Sequence, residues 1–318
     1  SLPLCLKTPV PNIDKSTLTQ PPSPHPFDGN RGSEFWQFGR TGPRERSWIQ
    51  NDPRPDITDK WSKWFSITPG SSVNDNKPAG QGWTDTRAIG AEECTPNSQP
   101  WQAGLFFLTR LFCGATLLND QWLLTAAHCR KPYLWVRLGE HHLWKWEGPE
   151  QLFRVTDFFP HPGFNSDLSA HDHNHDIMLI RLKRPAKLGP AVQPLNISNN
   201  CVRPGTTCLI SGWGATSSPE VEYPLSLQCA NISVLDPRLC HKAYPGRITS
   251  NMVCAGLWEG GRGSCQGDSG GPLVCNGALA GVVSGGAEPC SKPKRPSVYT
   301  SVCQYRKWIS KTMRENST

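Results

Sequence analysis

From Gln99 onward the sequence predicts an all-β domain of antiparallel sheets, a sandwich or a pair of barrels. Three observations carry this. Apolar or alternating runs of about 4–8 residues recur along the stretch. Gly, Pro and Asn punctuate them. Only one segment, YRKWISKTM after Cys303, has a sustained helical stripe. In chain order the runs are WQAGLFFL, CGATLL, QWLLTAA, LWVRLG, QLFRVTDFF, IMLIRL, TCLISGWG, LQCANISVL, GPLVC and ALAGVVSGG. No internal repeat appears.

Residues 1–81 have another texture. Pro and polar residues dominate PPSPHPFDGNRG and NDPRPDITDK, and no periodicity persists. So little contiguous apolar surface cannot offset the entropy of ordering, so the segment reads as disordered. It lacks the basic start and apolar run of a signal peptide, and the chain does not begin with Met, so the true start is expected to be missing or replaced.

The chain holds 13 cysteines, 12 of them between Cys94 and Cys303, with Cys5 far upstream. No CxxC pair exists, which argues against structural zinc and for six disulfides in an oxidising compartment. Sequons at Asn196, Asn231 and Asn316 agree with a secreted, glycosylated protein. The formal charge of +7 is spread thinly: residues 1–87 hold 11 basic and 9 acidic groups, and residues 88–318 hold 22 and 17. Without a dense basic stripe a nucleic-acid partner is not expected. No apolar run reaches the roughly 20 residues of a membrane helix.

Three short motifs carry chemistry. GDSGGPL places Ser269 in a glycine-rich turn whose amides can converge on one point. A nucleophilic serine needs such donors for the oxyanion, and the amides of Gly267 and Ser269 are the expected pair. TAAHC puts His128 after an apolar strand, beside Cys129 and near enough to Cys113 for a short disulfide. DIMLIRL starts with Asp176 at the head of a strand, where a carboxylate can fix a histidine's tautomer. Each alone has a plain reading: a tight turn, a loop histidine, a strand-end cap.

Together, in the order His, Asp, Ser, TAAHC, DIMLIRL and GDSGGPL resemble the chymotrypsin-like serine peptidases, a likeness running from Arg87 to about Ile309 with SGWG and VYTSVCQYRKWI. AIGAEEC, GEHHLWKWEGPEQLF, GLWEGGRGSCQGDSGG and the long insertion before Asp176 are similar to the tissue kallikreins. The resemblance implies two six-stranded Greek-key barrels with the active site between them and a C-terminal helix. It also implies a secreted serine endopeptidase, monomeric, at residues 88–318, with residues 1–87 an extension ending at the activation site. Its expected partners are peptide or protein substrates, a trypsin-like activating protease and serpin-type or other inhibitors. The alternative is a weak or inactive homologue acting as a binding protein.

The resemblance further implies the pairs Cys94–Cys229, Cys113–Cys129, Cys201–Cys303, Cys208–Cys275, Cys240–Cys254 and Cys265–Cys290, leaving Cys5 over. Cleavage between Arg87 and Ala88 would free an amine to pair with Asp268. Ala88 stands where the family usually has Ile, which forfeits buried apolar surface and predicts a less populated active state. Gly263, six residues before the nucleophile, takes the base of the specificity pocket, where trypsin-like members carry Asp. A Lys or Arg head would be buried there without a counter-charge, so an apolar or aromatic residue is expected, flanked by Ser264 and Ser297. Ser297 narrows the slot, and Gly285 replaces a common Trp. Ser284 and Gly286 are expected to pair with substrate as an added strand.

No cofactor is required, but two metals are in question. His171, His173 and His175 alternate before Asp176, with His161 at the start of the same insertion. If extended, they share one face and suit an inhibitory zinc ion, as in some kallikreins; otherwise they form a solvated loop. Glu140, Glu147 and Glu150, with carbonyls of His142 and Lys145, resemble the calcium loop of trypsins; the plain reading is an acidic surface loop.

Overall fold

The computed structural model describes residues 90–155, 157–167, 172–215, 223–288 and 290–317. The predicted extension at 1–81, the cut at Arg87–Ala88 and His171 lie outside them.

A short edge strand, β1 (Glu92–Glu93), precedes a hairpin of β2 (Gln102–Phe107) and β3 (Arg110–Leu117). Both hairpin strands mix small and large apolar residues, so both faces pack. Ala103, Leu105, Ala115 and Leu117 are fully buried. Next come β4 (Trp122–Thr125), β5 (Leu134–Leu138), β6 (Gln151–Arg154), β7 (Asp157–Pro160) and β8 (Met178–Arg181). They form a sheet in the order β6-β5-β2-β3-β4-β8-β7. It is the first of the two expected barrel-like sheets, and its strands number seven because one predicted strand counts twice. The single expected strand QLFRVTDFF is split, with β6 pairing β5 and β7 pairing β8. Buried Val155 marks the corner, its amide donating to Leu134 O at 2.9 Å.

The second half holds β9 (Thr207–Gly212), β10 (Gln228–Val234), β11 (Met252–Gly256), β12 (Pro272–Cys275), β13 (Ala278–Gly285) and β14 (Ser297–Ser301). These six close into a barrel because β9 pairs both β10 and β12, and β1 adds to the edge of β10. Tyr299, Ile232, Leu273 and Ala255 fill its core.

The predicted C-terminal helix forms as α2 (Arg306–Glu315), covering the first sheet's core through Ile309. An unpredicted helix, α1 (Pro237–Ala243), is capped by the Asp236 side chain, which accepts from Arg238 N, and starts on Pro237. Among the described residues no helix is long and apolar enough to cross a membrane.

Six disulfides tie the domain in the pairs the resemblance implied, with sulfur joined between residues 94 and 229, 113 and 129, 201 and 303, 208 and 275, 240 and 254, and 265 and 290. Gly114 of β3 donates from its amide to Ser269 O at 2.7 Å, and Ser211 Oγ meets Gln102 Oε1 at 2.8 Å. The second bond joins the two sheets, and the first ties β3 to the turn before β12.

Candidate active site

Strand β4 ends at Thr125 and passes through Ala126 into a single 3-10 turn, Ala127–Cys129, which presents His128. The disulfide to Cys113 on β3 pins that turn. Asp176 precedes β8 and is fully buried. Its Oδ1 accepts from the His128 amide at 2.9 Å, and its Oδ2 lies 2.7 Å from His128 Nδ1. Nδ1 is therefore the protonated nitrogen, and Nε2 carries the free lone pair. Ser284 Oγ donates to Asp176 Oδ2 at 2.6 Å, and Thr300 Oγ1 donates to Asp176 O at 2.8 Å. Burial pushes the Asp176 carboxyl up, but the His128 hydrogen bond and charge, with Ser284, outweigh it and hold the carboxyl below its ordinary value.

Ser269 sits half-buried in the turn before β12. Gly267 has φ +96° and Gly270 φ +80°, a region that favours glycine. A Cβ at Gly270 would lie 2.1 Å from Thr125 Oγ1 and 2.5 Å from Gly114 O, so only glycine lets the turn reach the first sheet. Thr125 Oγ1 in turn donates to Gly114 O at 2.8 Å. The turn's amides divide into two sets. Those of Asp268, Gly270 and Gly271 donate to Cys265 O, Val283 O and Asp268 O at 2.8–3.0 Å. Those of Gly267 and Ser269 have no acceptor among the described residues. Cys129 Sγ lies 3.7 Å from Ser269 O and 3.8 Å from His128 Nε2, so histidine and serine meet over one disulfide. No hydrogen bond joins Ser269 Oγ to His128 among the described residues. The cluster Cys113, His128 and Cys129 offers no thiolate to a metal, because its sulfurs are bonded to each other.

The Asp268 carboxylate is wedged beside Gly212 and Gly214, accepting from Gly214 N at 2.8 Å and Cys265 N at 2.9 Å. Burial pushes its pKa up to about 6 despite those two amides. Gly90, with φ +67°, packs on Arg262, where a Cβ would come 2.6 Å from Cγ. The first described residues thus lie against the segment leading to Gly263.

A Cβ on Gly263 would sit 2.9 Å from Ser297 Oγ and 3.2 Å from Ser291 Oγ. Ser264 N donates to Ser297 Oγ at 3.0 Å, and the Tyr299 hydroxyl donates to Ser264 Oγ at 3.4 Å. Ser264, Ser284 and Ser297 are all buried. A Cβ on Gly286 would be 3.6 Å from Ser297 Cα, which places Gly286 over the same slot. Register with β12 stops at Val282↔Pro272, leaving Ser284–Gly286 beyond that ladder.

Among the described residues His161, His173 and His175 do not form a group of three ligand atoms within 4.8 Å. The extended, one-face geometry fails because His175 has φ +57°. His175 instead stacks on His161 at 4.7 Å, while the His173 ring lies 3.4 Å from where a Gly285 Cβ would be. Glu140, Glu147 and Glu150 form no such group either. Glu150 accepts from the amides of Glu147 and Gly148, Glu147 accepts from His142 N at 3.2 Å, and Glu140 Oε2 accepts from Arg137 at 3.1 Å. The loop's own donors occupy two of these carboxylates and the Arg137 guanidinium takes an oxygen of the third, so they do not fit a ready calcium cage. Burial, with the charges of Glu150 and Glu147, raises the Glu140 carboxyl against the pull of Arg137.

Asn196 and Asn231 are exposed, whereas Asn316 Nδ2 donates to Thr312 O at 2.8 Å in the helix end. Thr125, Ser291 and Thr300 are site residues that sequence reasoning missed. Only the fold's register brings them there.

The family profile described as Trypsin matches residues 88–309. Kallikrein-9 of Homo sapiens is 80% identical over 235 residues, which are 74% of this chain and 94% of that relative. Kallikrein-11 of Mus musculus is 55% identical over 232 residues, 73% of this chain and 84% of that relative. The solved structure of neuropsin, a serine protease expressed in the limbic system of mouse brain, is 50% identical with a TM-score of 0.68, covering 70% of this chain and 98% of its own. The chain belongs to the trypsin family and is a serine endopeptidase of the kallikrein type.

Proposed function

We propose that this endopeptidase works through an acyl-enzyme on Ser269, with His128 as general base and Asp176 orienting it. The observation that carries the reading is the pair of unpartnered amides, Gly267 and Ser269, in a turn whose other amides are all bound. His128 Nε2 takes the hydroxyl proton as Ser269 Oγ bonds to the scissile carbonyl carbon. The carbonyl oxygen gains the charge and is met by the two amides. Collapse breaks the C–N bond, and Nε2–H protonates the leaving amine. Water then attacks the ester, gives its proton to Nε2, and the acid product leaves as Ser269 regains a proton. The missing Ser269–His128 bond closes when substrate docks, as catalytic bonds often do. No step passes through a metal.

Activation by a trypsin-like cut at Arg87–Ala88 is part of the same proposal. Asp268 supports it: a carboxyl pushed up to about 6 by burial calls for an ammonium partner. Six disulfides support a secreted protein. The pocket base of Gly263, Ser264, Ser291 and Ser297 carries no carboxylate, which supports apolar or aromatic residues before the cut bond over Lys or Arg. Inhibitors and substrates would lie along Ser284–Gly286.

A fluorophosphonate probe tests the reading. Labelling is expected only after cleavage at Arg87, and not in Ser269→Ala. Cleaved protein that takes no label would favour the binding-protein alternative.

Asp268 gives a second expected result. In the uncut chain its folded pKa of about 6 exceeds the ordinary 3.8, so the fold holds a proton that the unfolded chain has released. Stability therefore falls as pH rises through this window, by on the order of 3 kcal/mol when complete. Urea midpoints at pH 4 and pH 7 should show that fall, reduced in Asp268→Asn. An equal fall in both proteins would sink the assignment.

A further inference from the structure

Asp176 belongs by chain to the first sheet, yet the residues just before it are tied to the second half of the domain. Asn174 Oδ1 accepts from Thr249 Oγ1 and from Asn251 Nδ2, each at 3.0 Å, on the segment leading into β11. His175 has φ +57°, the left-handed region that few residues other than glycine adopt, with asparagine, aspartate and histidine the most frequent of them. Its ring is half-buried. It stacks on His161 at 4.7 Å and 10°, and its Cδ2 lies 2.8 Å from where a Gly163 Cβ would stand, so only glycine leaves it room. Its Nδ1 is 3.0 Å from the hydroxyl of Tyr305, which closes the 3-10 turn after β14 and is itself buried. Tyr305 also packs edge-on against His161 at 5.1 Å, and His161 against Trp308 at 5.1 Å. Burial, and then the negative charge of Asp176, push the Tyr305 phenol up to about 12, so it keeps its proton across the working pH range. The hydroxyl can therefore donate to Nδ1 in the tautomer that carries its proton on Nε2.

We propose that His175 and Tyr305 are positioning residues for catalysis: their hydrogen bond locks the left-handed turn that aims the Asp176 carboxylate at His128. The inference rests on the reading of Asp176 as the carboxylate that orients the base. The histidine's role is to hold a backbone geometry through its ring, not to touch substrate. Ser284 and Thr300 grip Asp176 itself, whereas the lock acts one residue upstream and sets the angle at which Asp176 leaves the loop.

The test uses the cleaved enzyme and five variants. Tyr305→Phe removes one oxygen and is expected to lower kcat about tenfold with KM nearly unchanged, the scale of a small misplacement of a catalytic group. The acid limb of the kcat/KM profile should move to lower pH, because the imidazolium loses its well-aimed counter-charge. His175→Ala should match it, and the double variant should fall no further. His175→Asn accepts positive φ and presents an oxygen where Nδ1 stood, so it should restore most of the activity. Asp176→Asn separates the two readings. If it leaves kcat intact, the orienting role of Asp176 itself fails. If it abolishes kcat while Tyr305→Phe and His175→Ala keep wild-type kcat and pH limb, or lose only melting temperature, the positioning role alone is overturned.

Discussion

Alanine at Ser269 in the cleaved enzyme is expected to lower kcat by roughly 10⁶, with KM changed only a few-fold. The substitution removes the nucleophile but leaves the pocket, the two free amides and the His128–Asp176 pair in place. Those amides still polarise a bound carbonyl, so the variant should stay above uncatalysed hydrolysis by about 10³–10⁴. His128→Ala should cost about as much, and the double variant little more, because serine and histidine act as one unit. Asp176→Asn should cost about 10⁴, since its amide would accept from Nδ1–H poorly and release the wrong tautomer. Burst titration against an ester substrate separates these losses from contamination. A Ser269→Ala enzyme retaining more than about a thousandth of kcat would require a different nucleophile.

Gly263→Asp is expected to reverse the preference at the residue before the cut bond. Wild type should favour aromatic over arginyl substrates, because a guanidinium at the pocket base would meet only hydroxyls. An aspartate there supplies the counter-charge, and several kcal/mol of relieved desolvation correspond to about 10³ or more in the ratio of kcat/KM values. The new side chain, however, starts 2.9 Å from Ser297 Oγ, which is held by the Ser264 amide at 3.0 Å. That hydroxyl must yield, so Gly263→Asp alone should realise only part of the switch. Adding Ser297→Gly should raise arginyl cleavage about a further tenfold, by removing the obstruction and its competing bond. Peptide pairs differing only at that residue measure both steps. A double variant still preferring Phe over Arg would show that the base of the pocket lies elsewhere.

Much of this was legible in the sequence, and what was not was hidden for separate physical reasons. TAAHC, DIMLIRL and GDSGGPL are local, so their turns and strand ends can be read one residue after another. The antiparallel strands and the helix after Cys303 were also open to pattern reading, whereas the choice of barrels over a sandwich came from the resemblance. The pairing of twelve cysteines was not, because many connectivities fit the spacing and only the resemblance chose among them. Ser291 beside Gly263, and Thr300 under Asp176, come together by strand register and loop return that no motif announces. The corner at Val155 was hidden because QLFRVTDFF keeps its apolar character straight through the bend. Helix α1 did carry a signal, Asp236 followed by Pro237, which the strand-dominated context concealed. In the histidine loop, alternation implies a shared face only on an extended backbone, and the positive φ of His175 cannot be seen in the alternation itself.

The bond from the Gly114 amide to Ser269 O carries a consequence for the molecule as a machine. The proposed base and its carboxylate ride on one half of this compact unit and the proposed nucleophile on the other, so the reacting distance depends on how the two halves align. A peptide laid along Ser284–Gly286 as proposed, with its carbonyl seated between the halves, would span that seam like a tie-rod. Ligands at the cleft would therefore fasten the halves to one another, and tight occupancy would make the whole domain open as one piece.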